Sequence, residues 1–339
     1  MPDKSSFTPI TLVADIGGTH ARFALSQGRQ GVISHVHTLL CHDFASLELA
    51  IKAYLDDCRA VGLALPGRAC LAVAAATDQD IIALTNNHWR FSQLALSATL
   101  GIPVQVINDF TAQAWCLPTL GDADLQWLQK PQADWSGSWH SGNRSIAGPG
   151  TGFGAATMTR RGEVLESEPG QAAFAPLDIR QRDILTRLWS RYSRVSADHL
   201  LSGPGLANIH LALCEIADRN YMEVPQSAAE IVLAARNGDL IAGQAIAEFN
   251  RMLGAVCGDL ALIMGSSAGF FFSGAMLQKM GDLFDHATVM TAFSDKGKYS
   301  DWCSRVPVAL VTLPDLGLRG CAIYASRHLH ADPANHPKH

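Results

Sequence analysis

Residues 12–25 read LVADIGGTHARFAL, and this stretch gives the first indication of the fold. An apolar segment ends in Asp-x-Gly-Gly-Thr and a second apolar segment follows directly, which predicts a β-hairpin closed by a glycine turn. Two adjacent glycines let backbone N–H groups converge on an anion without a Cβ in the way. Asp15 beside the turn can hold a hydrated cation. A phosphate carried by Mg²⁺ meets both requirements, so the stretch predicts a nucleotide-binding fold.

The composition is that of a globular chain. Its 339 residues are 48% hydrophobic and 17% charged, which leaves room for two domains. A net charge of -5 without a dense basic segment argues against a nucleic-acid partner. Glycines and Asp259 interrupt the longest apolar segment, 253–274, so no membrane span is predicted. Residues 1–10 lack a signal-peptide pattern, and the eight scattered cysteines predict reduced thiols in a cytoplasmic protein.

Hydrophobic periodicity predicts an α/β first domain with a mixed sheet, followed by a mainly helical second half. Residues 145–158 repeat the opening pattern of strand, glycine turn and strand, which predicts two domains of related design. The strands are predicted at 10–14, 21–25, 32–40, 61–65, 70–76, 104–107, 270–272 and 308–312. The helices are predicted at 44–60, 94–100, 181–192, 207–217, 226–236, 240–264 and 318–329.

Asn108 and Asp109 end a predicted buried strand, and their sequence position allows two interpretations. The first is structural, because Asn or Asp at this point is an ordinary helix N-cap. The second is functional, because ligands bind at the carboxyl ends of strands in α/β sheets, where Asp109 could accept the proton of a substrate hydroxyl. Two later carboxylates, Glu168 and Asp198, lie beside glycines, and on their own they predict only turns.

Taken together, these segments resemble the bacterial glucokinase family of the sugar-kinase and actin-like ATPase superfamily, from about Leu12 to about Ala325. The resemblance implies an α/β, two-domain actin-like ATPase (ribonuclease H-like) fold with a ligand cleft between the domains. It implies a small domain of 1–110 plus 322–339 and a large domain with added helices at 111–321. The motifs that carry it are DIGGTHAR at 15–22, LTNNHWRFS at 84–92, INDFTA at 107–112, GPGTGFG at 148–154, FAP at 174–176, LSGPGL at 201–206, GFFFSG at 269–274 and DKG at 295–297.

The resemblance further implies ATP-dependent phosphorylation of glucose at its 6-hydroxyl, with Mg²⁺, by a homodimer. By match of position, Asp109 would be the general base. The sugar would contact Asn86, Asn108, Asp109, Glu168, Gln171 and Asp198. ATP would contact Asp15, Gly17, Gly18, Thr19, Arg22, Gly150, Thr151, Gly152 and Gly274, with Asp15 positioning Mg²⁺ through water.

The departures from the family pattern lie mainly on the sugar side. Gln171 stands where the family has His, Asp198 where it has Glu, and residues 75–77 replace a Gly-Pro pair; Ala275 replaces a glycine near the adenosine. One lost buried hydrogen bond costs about 1–3 kcal/mol, which corresponds to about 10- to 150-fold in kcat/KM. Two functions therefore remain as alternatives to that of a glucokinase. One is a kinase of another hexose or amino sugar, and the other is a weakly active sugar-binding regulator.

Overall fold

The chain folds into two compact units. Unit 1 comprises Met1–Leu120 with Leu313–His339, and unit 2 comprises Gly121–Thr312. The domain boundaries given in the sequence analysis stay a prediction. The computed structural model describes residues 9–28, 31–84, 87–131, 142–219 and 227–329.

Unit 1 is built on a mixed five-stranded sheet. Its strands are β1 (Thr11–Ile16), β2 (His20–Ser26), β3 (Ile33–Leu40), β4 (Arg68–Val73), β5 (Ile81–Ala83), β6 (Arg90–Ser92) and β7 (Val104–Asn108). The sheet order is β3-β2-β1-β4-β7, and β5 pairs separately with β6. Strands β1, β4 and β7 are parallel, whereas β2 is antiparallel to both of its neighbours. The mixed sheet predicted from the sequence is confirmed.

Helices cover both faces of this sheet. They are α1 (Leu47–Ala60), α2 (Gln93–Leu100), α3 (Asp109–Cys116) and the last helix of the chain, α11 (Leu316–His328). Successive side chains of a strand point to opposite faces. Leu12 of β1 accordingly joins the core cluster that contains Ile51 of α1, and Val13 joins the cluster that contains Leu318 of α11.

Unit 2 repeats the topology of unit 1. Its strands are β8 (Leu125–Gln129), β9 (Arg144–Pro149), β10 (Phe153–Met158), β11 (Val164–Ser167), β12 (Phe270–Phe272) and β13 (Val308–Val311). The order is β11-β10-β9-β12-β13-β8, with β9, β12 and β13 parallel and β10 antiparallel to both of its neighbours. Without the edge strand β8 this is the arrangement of unit 1, so the predicted internal repeat is confirmed.

The helices of unit 2 surround a long central helix, α7. They are α4 (Ile179–Leu188), α5 (Gly203–Ile216), α6 (Ala228–Arg236), α7 (Leu240–Met264), α8 (Ala275–Met280), α9 (His286–Ser294) and α10 (Ser300–Cys303). Asp239 caps α7 by accepting hydrogen bonds from the backbone N–H groups of Ile241 and Ala242. Gly265 ends it in the left-handed conformation. Among the residues described, no helix is both long and apolar enough to cross a membrane.

Most of the predicted elements are present, and the clearest error is the strand predicted at 61–65. These residues form an exposed turn and loop after α1, where Val61 is 60% exposed and Leu65 44%. Short apolar segments are ambiguous by periodicity, and here the apolar residues remain at the surface. Strands β5, β6, β8 and β11 and helices α8, α9 and α10 were not predicted, because they are short or their sequences carry little apolar alternation or spacing.

Candidate active site

The first glycine turn joins β1 to β2 and is fixed on three sides. The Gly17 N–H donates to the His20 carbonyl oxygen at 3.0 Å. The Asn87 side-chain amide donates to the Gly17 carbonyl oxygen at 3.1 Å, and the Cys41 N–H donates to the Thr19 carbonyl oxygen at 2.9 Å. A cavity of about 300 Å³ opens beside the turn. It is lined by Gly18, Thr19, Cys41, His42, Asn87 and His88.

Asp15 precedes this turn and lies in a small cluster of charges. It is the register partner of Arg22 on β2, and the Arg22 guanidinium lies 3.9 Å from the Asp315 carboxylate. Burial raises the pKa of the Asp15 carboxyl above its ordinary value, with Arg22 opposing this effect and Asp315 adding to it. A Cβ added to Gly317 would lie 2.8 Å from the Asp15 carboxyl carbon, so a glycine is needed there for the carboxylate to fit.

The structure assigns the capping role to Asn108, which was one of the two interpretations that the sequence left open. Asn108 is the N-cap of α3, because its Oδ1 accepts hydrogen bonds from the N–H groups of Phe110 and Thr111 at 2.9 and 3.1 Å. Asp109 is the first residue of the helix and is half-buried. The structural interpretation therefore holds for Asn108, and Asp109 Oδ1 accepts a hydrogen bond from the same Phe110 N–H at 2.9 Å.

The strand register places Asp109 and the glycine turn at the same edge of the sheet. Ile16 of β1, Val73 of β4 and Asn108 of β7 are successive partners in parallel ladders. The Gly-Gly-Thr turn follows Ile16 directly, and Asp109 follows Asn108 directly. Two strand spacings separate the two segments, about 9–10 Å. A carboxylate and an anion-binding turn thus share the edge at which α/β sheets bind ligands.

The second glycine turn, between β9 and β10 of unit 2, is fixed by Asp198. The Phe153 N–H donates to Asp198 Oδ1 at 2.6 Å. A Cβ added to Gly152 would lie 2.7 Å from the same oxygen. The Gly203 N–H donates to the Gly150 carbonyl oxygen at 2.9 Å. The loop that contains Asp198 therefore positions the turn, a contact that the sequence analysis did not predict.

Glu168 and Gln171 lie on a neighbouring loop of unit 2. The Ala197 N–H donates to the Ala172 carbonyl oxygen at 2.9 Å, which ties this loop to that of Asp198. Partial burial raises the pKa of the Glu168 carboxyl, and the negative charges of Glu166 and Asp198 raise it further. Gln171 is exposed. Unit 2 thus brings Glu168 and Asp198 into one electrostatic environment beside the second glycine turn.

Gly274 lies against the same turn. Its φ of 114° is one that L side chains rarely adopt, and a Cβ there would lie 2.7 Å from the Pro149 carbonyl oxygen. The segment after β12 is therefore packed on the end of β9, just before Gly150. Unit 2 gathers Gly150, Thr151, Gly152, Glu168, Asp198 and Gly274 around this turn.

The other predicted site residues belong to unit 1, apart from Asn86, which lies outside the described residues. Those of unit 1 are Asp15, Gly17, Gly18, Thr19, Arg22, Asn108 and Asp109. Sequence reasoning missed Asp315, which faces Arg22, and Asn87, which fixes the first turn. The signal for Asp315 was its place directly before the apolar pattern of the last helix.

The sequence and the fold have counterparts in known proteins. A glucokinase family model matches residues 12–328. The glucokinase of Chromohalobacter salexigens is 38% identical over 313 residues, which cover 91% of this chain and 95% of that protein.

Solved structures show the same fold. A glucokinase from an Antarctic psychrotroph has a TM-score of 0.79 at 34% identity and covers 93% of this chain and 98% of its own. A ROK family glucokinase from Streptomyces griseus, solved with glucose and AMPPNP, has a TM-score of 0.64 at 21% identity and covers 92% of this chain and 98% of its own. At that identity the second likeness concerns the fold alone. The predicted actin-like ATPase sugar-kinase fold is confirmed.

Proposed function

The chain belongs to the glucokinase family, and we infer that it transfers the γ-phosphoryl group of ATP to the 6-hydroxyl of glucose. The observation that carries the catalytic part of this proposal is the shared sheet edge of unit 1. Asp109 and the turn of Gly17, Gly18 and Thr19 lie two strand spacings apart there. Phosphoryl transfer needs such a pair, one group to receive the proton of the acceptor hydroxyl and one to hold the transferred phosphate.

We assign Asp109 as the general base. As the 6-hydroxyl oxygen forms its bond to the γ-phosphorus, Asp109 takes the hydroxyl proton, the bond to the bridging oxygen breaks and ADP leaves. Backbone N–H groups of the two glycine turns donate to phosphate oxygens, and Arg22 supplies positive charge beside the first turn. Gly274 keeps the chain close to the end of β9, where the adenosine is proposed to lie.

The donor set around Asp15 fits Mg²⁺. This cation usually keeps several waters and binds through one or two carboxylates together with substrate phosphates. Asp15 and Asp315 supply two neighbouring carboxylates, and burial disfavours the charged form of Asp15. A cation would offset that penalty. Mg²⁺, when bound, neutralises charge on the phosphates, and Asp15 would hold it through water.

We propose that the sugar hydroxyls are bound by Asn86, Asn108, Glu168, Gln171 and Asp198. The Oδ1 atom of Asn108 caps α3, so its amide N–H group is the donor for the sugar. Gln171 can both donate and accept, which allows it to replace the family's His. Burial, followed by the negative charges of Glu166 and Asp198, raises the pKa of Glu168, and hydroxyl donors of a sugar would stabilise its carboxylate.

Two further proposals follow from the resemblance. We propose a cytoplasmic location, in keeping with the eight cysteines, all of which are buried free thiols. We also propose a homodimer, which sedimentation equilibrium of the purified chain would test.

The test is ADP release measured with glucose, mannose, fructose and glucosamine. Wild type should turn over glucose best. Asp109→Asn keeps the side-chain shape, and we expect its kcat to fall by about 10²–10⁴-fold, the usual contribution of a general base, with an unchanged melting temperature. Asp56→Asn removes an exposed carboxylate of unit 1 and should leave kcat unchanged. Turnover by Asp109→Asn close to wild type would refute the role of Asp109, and preference for another sugar would refute glucose as the acceptor.

A further inference from the structure

Two histidines and an aspartate meet at the edge of unit 1, away from the glycine turn. His35 and His37 lie on the edge strand β3, and Asp57 lies on α1. Leu40 of β3 pairs with His20 beside the turn. His37 is three residues further along β3, a distance of about 10 Å. The group is therefore separate from the residues assigned above to ATP and the sugar.

The three side chains present their donor atoms to one another. Asp57 Oδ2 lies 2.8 Å from His35 Nε2 and 3.5 Å from His37 Nδ1. The two imidazole rings lie with their centroids 4.3 Å apart. One donor atom from each of the three residues lies within 4.8 Å of the other two, and all three residues are half-buried. Within the described residues, no other group of three His, Cys, Asp or Glu side chains meets this condition.

The backbone is distorted where the two imidazoles are brought together. His35 has a φ of 52°, which is uncommon for a residue other than glycine. The register between β2 and β3 shifts at the same place, where Phe23 pairs with His37 but Leu25 pairs with Ser34. Such irregularities redirect side chains and are concentrated at functional sites. The Tyr54 hydroxyl donates to the His35 carbonyl oxygen at 2.9 Å and holds the distorted segment against α1.

We propose that His35, His37 and Asp57 bind a divalent transition-metal cation of the zinc class. Two imidazole nitrogens and one carboxylate oxygen are typical zinc ligands, whereas Mg²⁺ and Ca²⁺ prefer oxygen alone. Neighbouring ligand atoms of a tetrahedral site lie about 3.3 Å apart when each metal–ligand bond is about 2.0–2.1 Å. The distance from His37 to Asp57 is 3.5 Å, already close to this value, and the His35 contact must lengthen by about 0.5 Å.

The bound cation fastens the edge strand to α1. His35 and His37 belong to β3 and Asp57 belongs to α1, so a shared ion cross-links two elements that are otherwise joined here by the hydrogen bonds of Tyr54 and Asp57 to His35. A ligand that binds only the folded state stabilises it by mass action. Zinc should therefore raise the melting temperature of unit 1 without any change in the residues assigned to catalysis.

The test is calorimetric titration of the full chain with ZnCl₂, in parallel for wild type, His37→Gln, Asp57→Asn and Asp56→Asn. Asp56 is the neighbouring carboxylate on α1 and pairs with Arg59, which makes it a matched control. We expect the affinity for one equivalent of zinc to fall at least about 10-fold in His37→Gln and Asp57→Asn. The affinity should be unchanged in Asp56→Asn. Binding by the histidines of the C-terminal segment is common to all variants and cancels in the comparison.

Two further measurements keep the proposal independent of folding defects. His35→Asn removes a ligand while retaining a residue that tolerates positive φ, and it should lose the same zinc equivalent. Co²⁺ added to wild type should give the visible absorption of a site with nitrogen ligands, absent in His37→Gln. Equal zinc affinity in wild type and the three ligand variants would overturn the proposal and leave Asp57 as a hydrogen-bond partner of His35 with His37 beside it.

Discussion

Replacing Asp198 with alanine removes the acceptor that holds the second glycine turn. Asp198 Oδ1 accepts a hydrogen bond from the Phe153 N–H at 2.6 Å, and Phe153 is 3% exposed. A buried N–H left without a partner costs about 1–3 kcal/mol, and a bond to a charged acceptor contributes about 1.5–3 kcal/mol. We therefore expect Asp198→Ala to lower the free energy of unfolding of unit 2 by about 2 kcal/mol.

Asp198→Asn separates this contact from the negative charge. The amide oxygen can still accept from Phe153, but a neutral bond is about half as strong, so the loss should be about 1 kcal/mol. The assays are urea unfolding and steady-state kinetics with ATP and glucose varied in turn. Because the turn of Gly150 to Gly152 is proposed to bind ATP, KM for ATP should rise about tenfold in Asp198→Ala for each 1.4 kcal/mol of lost turn stability. In Asp198→Asn mainly KM for glucose should rise.

The matched control is Asp183→Ala, which removes an exposed carboxylate of unit 2 that pairs with Arg182. Its stability and both KM values should stay at those of wild type. If Asp198→Ala also keeps the stability of wild type and the KM for ATP, then Asp198 does not position the turn and the reasoning from the Phe153 contact is refuted.

Two further predictions concern packing and charge. A Cβ at Gly170 would overlap the Phe153 carbonyl oxygen, so Gly170→Ala should lower the free energy of unfolding by about 1–3 kcal/mol. Gly243→Ala in α7 meets no atom within 4 Å and should raise it by about 0.5–1 kcal/mol, and thermal unfolding giving the same sign for both would contradict the packing. The raised pKa of Asp15 means that the folded state binds more protons above pH 3.8, so wild type loses stability as the pH rises from there. Urea titrations between pH 4 and 7 should show that Asp15→Asn becomes more stable relative to wild type as the pH rises, although its kinase activity is lower. A stability difference that does not depend on pH would contradict the titration of Asp15 as its cause.

The sequence predicted the fold well where a pattern is local. The hairpin around Gly17 follows from two apolar segments and the glycines between them, and its repeat at Gly150 follows from the same pattern. The strand predicted at 61–65 was wrong because apolar composition alone does not distinguish a buried strand from an exposed loop. Strand β8 was missed because its residues alternate weakly and it is an edge strand that is antiparallel to β13.

Parts of the site could not be predicted because they depend on contacts distant in sequence. The bond from Phe153 to Asp198 spans 45 residues, and only the folded chain reveals it. The capping interpretation was likewise open until the N–H donors to Asn108 were seen, and the catalytic role of Asp109 stays a prediction. The family resemblance named these residues, but it did not show that Asp198 also supports the glycine turn.

The repeated topology explains why the chain carries two acids in similar positions. In each sheet the last of the three parallel strands is followed by a helix of unit 1: β7 leads into α3 at Asp109, and β13 leads into α11 after Asp315. Their surroundings differ, because Asp315 faces the Arg22 guanidinium whereas Asp109 follows the cap residue Asn108. Asp109 is the residue that we propose for proton transfer, whereas Asp315 lies beside Arg22 near the first glycine turn. The different roles proposed for Asp109 and Asp315 thus rest on one duplicated arrangement in two electrostatic environments.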